Sequence, residues 1–261
     1  MSVKAGVVRG RVPWVLAVPA AVGLAFLVLP LAGLLVEAPW GTLGARLAAP
    51  QVLDALRLSL VTATIATGLC LLLGVPLAWV LARVEFRGRR VVRALVTVPL
   101  VLPPVVGGVA LLLVFGRNGL VGQYLGFQLP FTSAGVVLAE AFVAMPFLVI
   151  SVEGALRGTD LRYEEAAATL GASRLTVFRR VTLPLVAPGI VAGAVLCWAR
   201  ALGEFGATIT FAGNFPGRTQ TMPLAVYLAL ETEPEAAIVL SLVLLAVSIV
   251  VLAGLRDRWI S

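Results

Sequence analysis

Apolar residues run along this chain in long blocks separated by short polar stretches. Six blocks reach 20 residues or more: 14–36, 58–82, 92–115, 134–153, 186–212 and 236–255. About 20 apolar residues carry a helix across about 30 Å of hydrocarbon. The pattern therefore predicts an all-α membrane protein, a bundle of six transmembrane helices. Pro76, Pro99, Pro103, Pro104 and Pro146 fall inside the blocks. Neighbouring helices can satisfy the backbone groups a proline frees, so these residues predict kinks rather than ends. Gly189 and Gly193 have the spacing that lets two helices approach closely. The run from Trp14 to Val36 is too long for the apolar part of a secretory signal, and no small-residue cleavage site closes it. It predicts a first span that is retained.

Composition agrees with the pattern. Hydrophobic residues make up 60% of the chain, charged residues 13%, and the mean hydropathy is +1.04. Soluble domains carry about 45–50% apolar and about 25% charged residues. The net charge of +7 sits in short loops, without the aromatic interleaving of a phosphate-tracking surface, so nucleic acid is not the partner it implies. Its distribution sets the orientation. With the basic tail (Lys4, Arg9, Arg11), fifteen of the twenty Lys and Arg residues fall on one side of the six spans and four on the other; Arg200 lies within a span. Basic loops stay inside, so both termini and the loops at 83–93 and 154–185 are expected in the cytoplasm of a multi-pass inner-membrane protein. Histidine is absent, and Cys70 and Cys197 lie in apolar runs with no CxxC pairing. Zinc, thiol redox and Ser-His-Asp chemistry drop out, leaving the cysteines as small packing residues.

The stretch from Gly154 to Pro184 is long for a loop in a small bundle and has helix signals of its own. Asp160 suits an N-cap, with Glu164 and Glu165 in the first turn; Ala166, Ala167 and Ala168 favour helix, and Gly171 suits the C′ position. Ser173 can cap a second short helix through Leu175, Val177, Phe178 and Val181, which Pro184 is expected to stop. Two readings fit such a pair: docking into a groove of another protein, or resting on lipid headgroups with Arg179 and Arg180.

Family resemblance bears on that choice. Glu165-Ala166-Ala167, three residues, Gly171, nine residues, Val181, one residue and Leu183-Pro184 resembles the EAA loop of ABC importer permeases. Val181 stands where that family usually has Ile. The resemblance implies the type I permease fold over residues 52–256, with 1–51 as tail, first span and outer loop. It also implies that residues 154–185 form a coupling loop that docks on a cytoplasmic ATPase subunit. Glu165, Ala166, Ala167 and Gly171 would be its docking residues, followed by Leu183 and Pro184. No GxxxxGK[ST] phosphate loop is present; the chain is not expected to be an enzyme or to hold a cofactor, and ATP and Mg would be bound by the partner subunit.

Arg200 and Glu204 lie four apart in the fifth block and would share a helix face. Each would cost roughly 2.5–3.5 kcal/mol at the bilayer centre. They are therefore either a gate along a polar path or a buried structural pair. Glu140 in the fourth block has no obvious partner. The run Ala199–Thr208 is similar to the sulfate and molybdate permease branch; Phe211–Pro223 and Pro99–Gly108 are most similar to its molybdate members. The resemblance implies a homodimer served by an extracytoplasmic oxyanion-binding protein, with molybdate or tungstate as cargo. Sulfate or thiosulfate is the neighbouring alternative. An ion-coupled secondary transporter using Arg200, Glu204 and Glu140 as a relay is a third, which inverted repeats would favour. Glu231, Glu233 and Glu235, with Arg218, would lie outside, either against the binding protein or in a solvated loop.

Overall fold

The computed structural model describes residues 13–259, which form helices and connecting turns; the basic tail lies outside them. α1 (Trp14–Val36) is apolar around its whole circumference and buries no residue against the rest of the described residues. A helix of that kind needs lipid or protein on every side. After the short α2 (Leu43–Leu47), Pro50 opens α3 (Pro50–Arg83) in the first turn, where its missing N–H costs no hydrogen bond. The 34 residues of α3 rise about 51 Å, so it projects well beyond a hydrocarbon layer. It starts earlier than the apolar block because Asp54 and Arg57 continue the helix outside that layer.

The third predicted span is instead two helices, α4 (Arg89–Val101) and α5 (Pro104–Phe115), set at 118° to each other. Leu102 and Pro103 each precede a proline and take extended backbone, with ψ of 130° and 131°. Proline denies the residue before it the helical region, so two in succession end a helix. A single proline, Pro146, is carried inside α6 (Ser133–Gly158) without a break. Beyond α6 come α7 (Arg162–Thr169), α8 (Arg174–Val177), α9 (Leu183–Leu202) and α10 (Gly206–Ala212). The chain closes with α11 (Met222–Thr232) and α12 (Pro234–Trp259). Among the described residues five helices are long and apolar enough to cross a membrane, or six spans with α4–α5 counted as one.

The fifth predicted span, 186–212, is also corrected. It ends at Leu202 and restarts as α10 after a break at Gly203–Phe205. The 20 residues of α9 already rise about 30 Å, enough to cross, and the break lets the backbone turn back against α5 and α6.

α3, α6 and α9 form the centre. Their shared core is built largely of small side chains, among them Ala63, Ala66, Cys70, Ala144, Cys197 and Ala201, with Leu148 and Val152 filling between them. Both cysteines are free and buried there, as packing residues. Gly189 and Gly193 do allow the close approach their spacing suggested. A Cβ on Gly193 would stand 2.9 Å from Ser151 Cβ, and one on Gly189 would collide with Ala155. Across this contact Ser151 Oγ donates a hydrogen bond of 3.2 Å to the Gly189 carbonyl. A second core joins α5, α6 and α10 through Leu111, Ala139, Val143, Ala207 and Phe211.

Gly193→Val should overpack the α6–α9 contact and cost about 1–3 kcal/mol. We expect a lower unfolding midpoint in detergent, while Gly23→Val on α1, where a Cβ meets no atom of the chain, leaves it unchanged. Equal midpoints for both variants would remove the close-approach role.

Candidate functional site: an exposed helix pair and a buried charged cluster

Two groups of residues singled out from the sequence lie at opposite ends of α9. The first is the loop joining α6 to α9. Asp160 accepts a hydrogen bond from the Arg162 N–H at 3.0 Å, but Leu161, already helical, occupies the N-cap position. α7 ends in the motif that Gly171 suggested. The Gly171 N–H reaches Ala168 O at 2.9 Å, and the Ala172 N–H reaches Ala167 O at 3.1 Å. Gly171 itself sits at φ +81°, the left-handed region that glycine enters without penalty. Ser173 caps α8 by accepting from the Thr176 N–H at 3.3 Å.

Pro184 does not stop the second short helix. α8 passes through a π-helical turn, Phe178–Thr182, straight into α9, so Arg174–Leu202 is one rod of 29 residues. Pro184 has no N–H to give Arg180 and its ring would collide with that carbonyl in an α-helix; the wider turn carries the chain past both problems, and Pro184 falls in the first turn of α9.

Glu165, Ala166 and Gly171 are exposed, Ala167 and Leu183 half-buried, Pro184 exposed. The apolar residues of the second short helix are not all presented. Leu175 points outward, but Val177 is buried and Phe178 packs edge-on against Trp79 of α3, with ring centroids 6.2 Å apart. Leu170, 88% exposed, and Tyr163 provide outward apolar surface that the sequence reading passed over. Glu164 turns inward and pairs with Arg83 at the end of α3, 2.8 Å away.

The second group lies past the other end of α9. Arg200 Nη1 is 2.6 Å from Glu204 Oε2, but the two do not share a helix face, because Glu204 follows the break. Glu204 is 1% exposed and its other oxygen accepts the Ala207 N–H at 2.8 Å, holding the first turn of α10. A residue read as a helix neighbour of Arg200 is thus the link between two helices. Glu140, also buried, finds the partner that spacing could not supply: Thr62 of α3, with 2.9 Å between Oγ1 and Oε1. Nearby on α3, Ser59 Oγ accepts the Met222 N–H at 2.7 Å and holds the start of α11. Glu233 and Glu235 pair with Arg46, at 3.3 and 2.7 Å. Among the described residues no cluster of three or more His, Cys, Asp or Glu could hold a metal ion.

Residues 74–261 match the family described as the binding-protein-dependent transport system inner membrane component. The chain belongs to that family: it is the permease subunit of an ABC importer. Over 243 residues the permease is 51% identical to the molybdenum transport system permease protein ModB of Mycobacterium tuberculosis (strain ATCC 25618 / H37Rv), covering 92% of both chains. It is 41% identical to the protein of the same name from Escherichia coli (strain K12), over 80% of this chain and 93% of that one. The sulfate transport system permease protein CysT of Salmonella typhimurium (strain LT2) is 37% identical over 88% of this chain and 86% of its own.

Solved structures share the permease's fold. A bacterial ABC transporter importing the acidic polysaccharide alginate superposes with a TM-score of 0.74, 19% identity and coverage of 94% and 93% of the two chains. The MetNI methionine ABC transporter gives 0.60 and 18%, over 79% of this chain and 95% of that one. The type I permease fold expected from the sequence is therefore the one observed.

In the permease, Glu204→Ala should leave Arg200 and the Ala207 N–H without their partner in a mostly buried site. Breaking a buried pair costs about 3 kcal/mol at the lower end of its range, and Arg200, 27% exposed, keeps some solvent to offset the loss. Denaturant unfolding should show that drop, and Arg200→Ala/Glu204→Ala should recover part of it. A double variant no more stable than Glu204→Ala would separate the two residues.

Proposed function

We propose that this permease moves molybdate, with tungstate as a second cargo, across the inner membrane by alternating access. The observation that carries the reading is the 51% and 41% identity to proteins named as molybdenum transport permeases. The sulfate permease at 37% supports sulfate or thiosulfate as the alternative cargo. Competition in vesicles loaded with ATP separates the two. Radiolabelled molybdate uptake should fall with unlabelled tungstate and persist in excess sulfate; displacement by sulfate at equal concentration would reverse the assignment.

The working assembly is a pair of these chains, two cytoplasmic ATPase subunits that bind ATP and Mg, and an extracytoplasmic oxyanion-binding protein. Residues 52–256 are its transmembrane domain and 154–185 its coupling loop, with both termini in the cytoplasm. Glu165, Ala166, Ala167 and Gly171 dock on the ATPase, and Leu183 and Pro184 start the span that follows. Exposure of α7 supports this: a short helix with small side chains and one outward carboxylate suits a cleft in another protein. Arg174–Leu202, a continuous rod about 43 Å long, leads from that loop to Arg200. Arg200, Glu204 and Glu140 act as pathway or gate residues, where paired charges can change partners without facing lipid.

Gly171→Val tests the docking loop. A Cβ there meets no atom of the described residues within 4 Å, so the damage would be conformational: a β-branched residue at φ +81° breaks the turn that ends α7. We expect membrane insertion at wild-type level, with stimulated ATP hydrolysis and uptake at background. The same result is expected for Glu165→Lys, and undiminished uptake in both would remove the docking assignment.

A further inference from the structure

We infer that Arg83 and Glu164 form the strut that carries movement of the coupling helix α7 into α3, a role separate from docking. The inference rests on the reading that α7 docks on the ATPase. Two adjacent carboxylates of α7 differ in exposure and in partner. Glu165 faces solvent, whereas the Glu164 side chain is 19% exposed and its Oε1 lies 2.8 Å from Nη2 of Arg83, itself 11% exposed. A pair so far withdrawn from water is screened much less than a surface ion pair and holds its geometry more firmly.

The surroundings make this pair mechanically significant. Among the described residues α7 buries none of its own, and a cleft of about 520 Å³ opens between it and α3, lined by Trp79, Arg83, Glu164, Glu165 and Phe178. With so little packing, α7 is held to the spans by the chain running from α6 and into α9, by the Trp79–Phe178 contact in the following turn, and by this ion pair. Arg83 is the last residue of α3, and that helix end is firmly held. Arg89 donates to the carbonyls of Leu81 and Ala82 at 2.8 and 3.2 Å. Arg93 donates to Leu81 O and pairs with Glu153 of α6, which Arg157 also meets, at 2.6 and 2.9 Å.

A pull on α7 therefore reaches a fixed point at the end of α3. α3 carries it to Thr62 and Ser59, which hold the buried Glu140 and the start of α11. α9 receives the same movement through the backbone. The ion pair adds α3 to the helices that α7 moves, and without it α7 would act only on α6 and α9, to which the backbone joins it. Glu164 and Arg83 are thus positioning residues, acting through the helices they join.

The test uses the full transporter, with ATPase subunit and binding protein, in proteoliposomes. Glu164→Gln keeps the shape of the side chain and removes its charge. The expected result is unchanged co-purification of the ATPase subunit, with molybdate imported per ATP hydrolysed down about fivefold or more, the lower end of typical coupling strengths. The exchange Arg83→Glu/Glu164→Arg should return that ratio to within about twofold of wild type, which a merely structural disturbance would not do. A ratio unchanged in Glu164→Gln overturns the strut. Loss of co-purification in Glu164→Gln also overturns it, by making Glu164 a docking residue. Failure of the unaltered chain to hold an ATPase subunit would instead overturn the docking reading beneath it.

Discussion

Lipid offers a helix no hydrophobic reason to pack against another helix, since hydrocarbon is as apolar as leucine. Association of α3, α6 and α9 rests on how closely their backbones can lie. Gly193 against Ser151, Gly189 against Ala155 and Gly74 against Leu148 and Val149 set that distance. The shared core is accordingly rich in alanine and cysteine at the crossings. The rest of the bundle is placed by this contact. α10 reaches its seat on α5 and α6 only because α9 has already been fixed against α6, and there Gly108 of α5 admits Thr210 and Ala207.

A second constraint comes from charge. In a medium that cannot solvate them, ionised groups need partners, and most of the partners here lie on different helices or on different sides of a break. Glu153 on α6 is met by Arg93 from α4, Glu204 spans the gap between α9 and α10, and Arg83 ties α3 to α7. These pairs are weak evidence for stability, since burying them costs much of what their attraction returns. They do specify which helix ends stay together, which a transporter of moving helices requires. The closing turn of α7 is specified differently, by backbone hydrogen bonds at Gly171, and leaves Glu165 and Ala166 facing outward.

Local signals were legible and non-local ones were not. The cap at Ser173 and the left-handed turn at Gly171 depend on residues a few positions away, and both stand as read. Prolines were harder. Pro146 stays within α6, Pro103 and Pro104 turn the chain by 118°, and Pro184 begins a helix it was expected to end. The outcome depends on a second adjacent proline or on a π turn upstream. Arg200 and Glu204 meet, yet through a broken backbone, because hydropathy continues across Gly203 while the helix does not. Neither Thr62 for Glu140 nor Arg83 for Glu164 could be foreseen: 78 and 81 residues separate the partners.

By itself the sequence determined that the chain belongs in a membrane, which apolar blocks supply its spans, and the short exposed helix between the fourth and fifth. Each follows from composition or from spacing within one turn, and lipid enforces the result because a backbone there must satisfy its own hydrogen bonds. Only the tertiary structure decided which neighbouring carboxylate turns inward, where the third and fifth blocks break, and which helices the buried charges join. Those outcomes depend on how near two helices can come, and that distance is a property of the pair, written in neither segment alone.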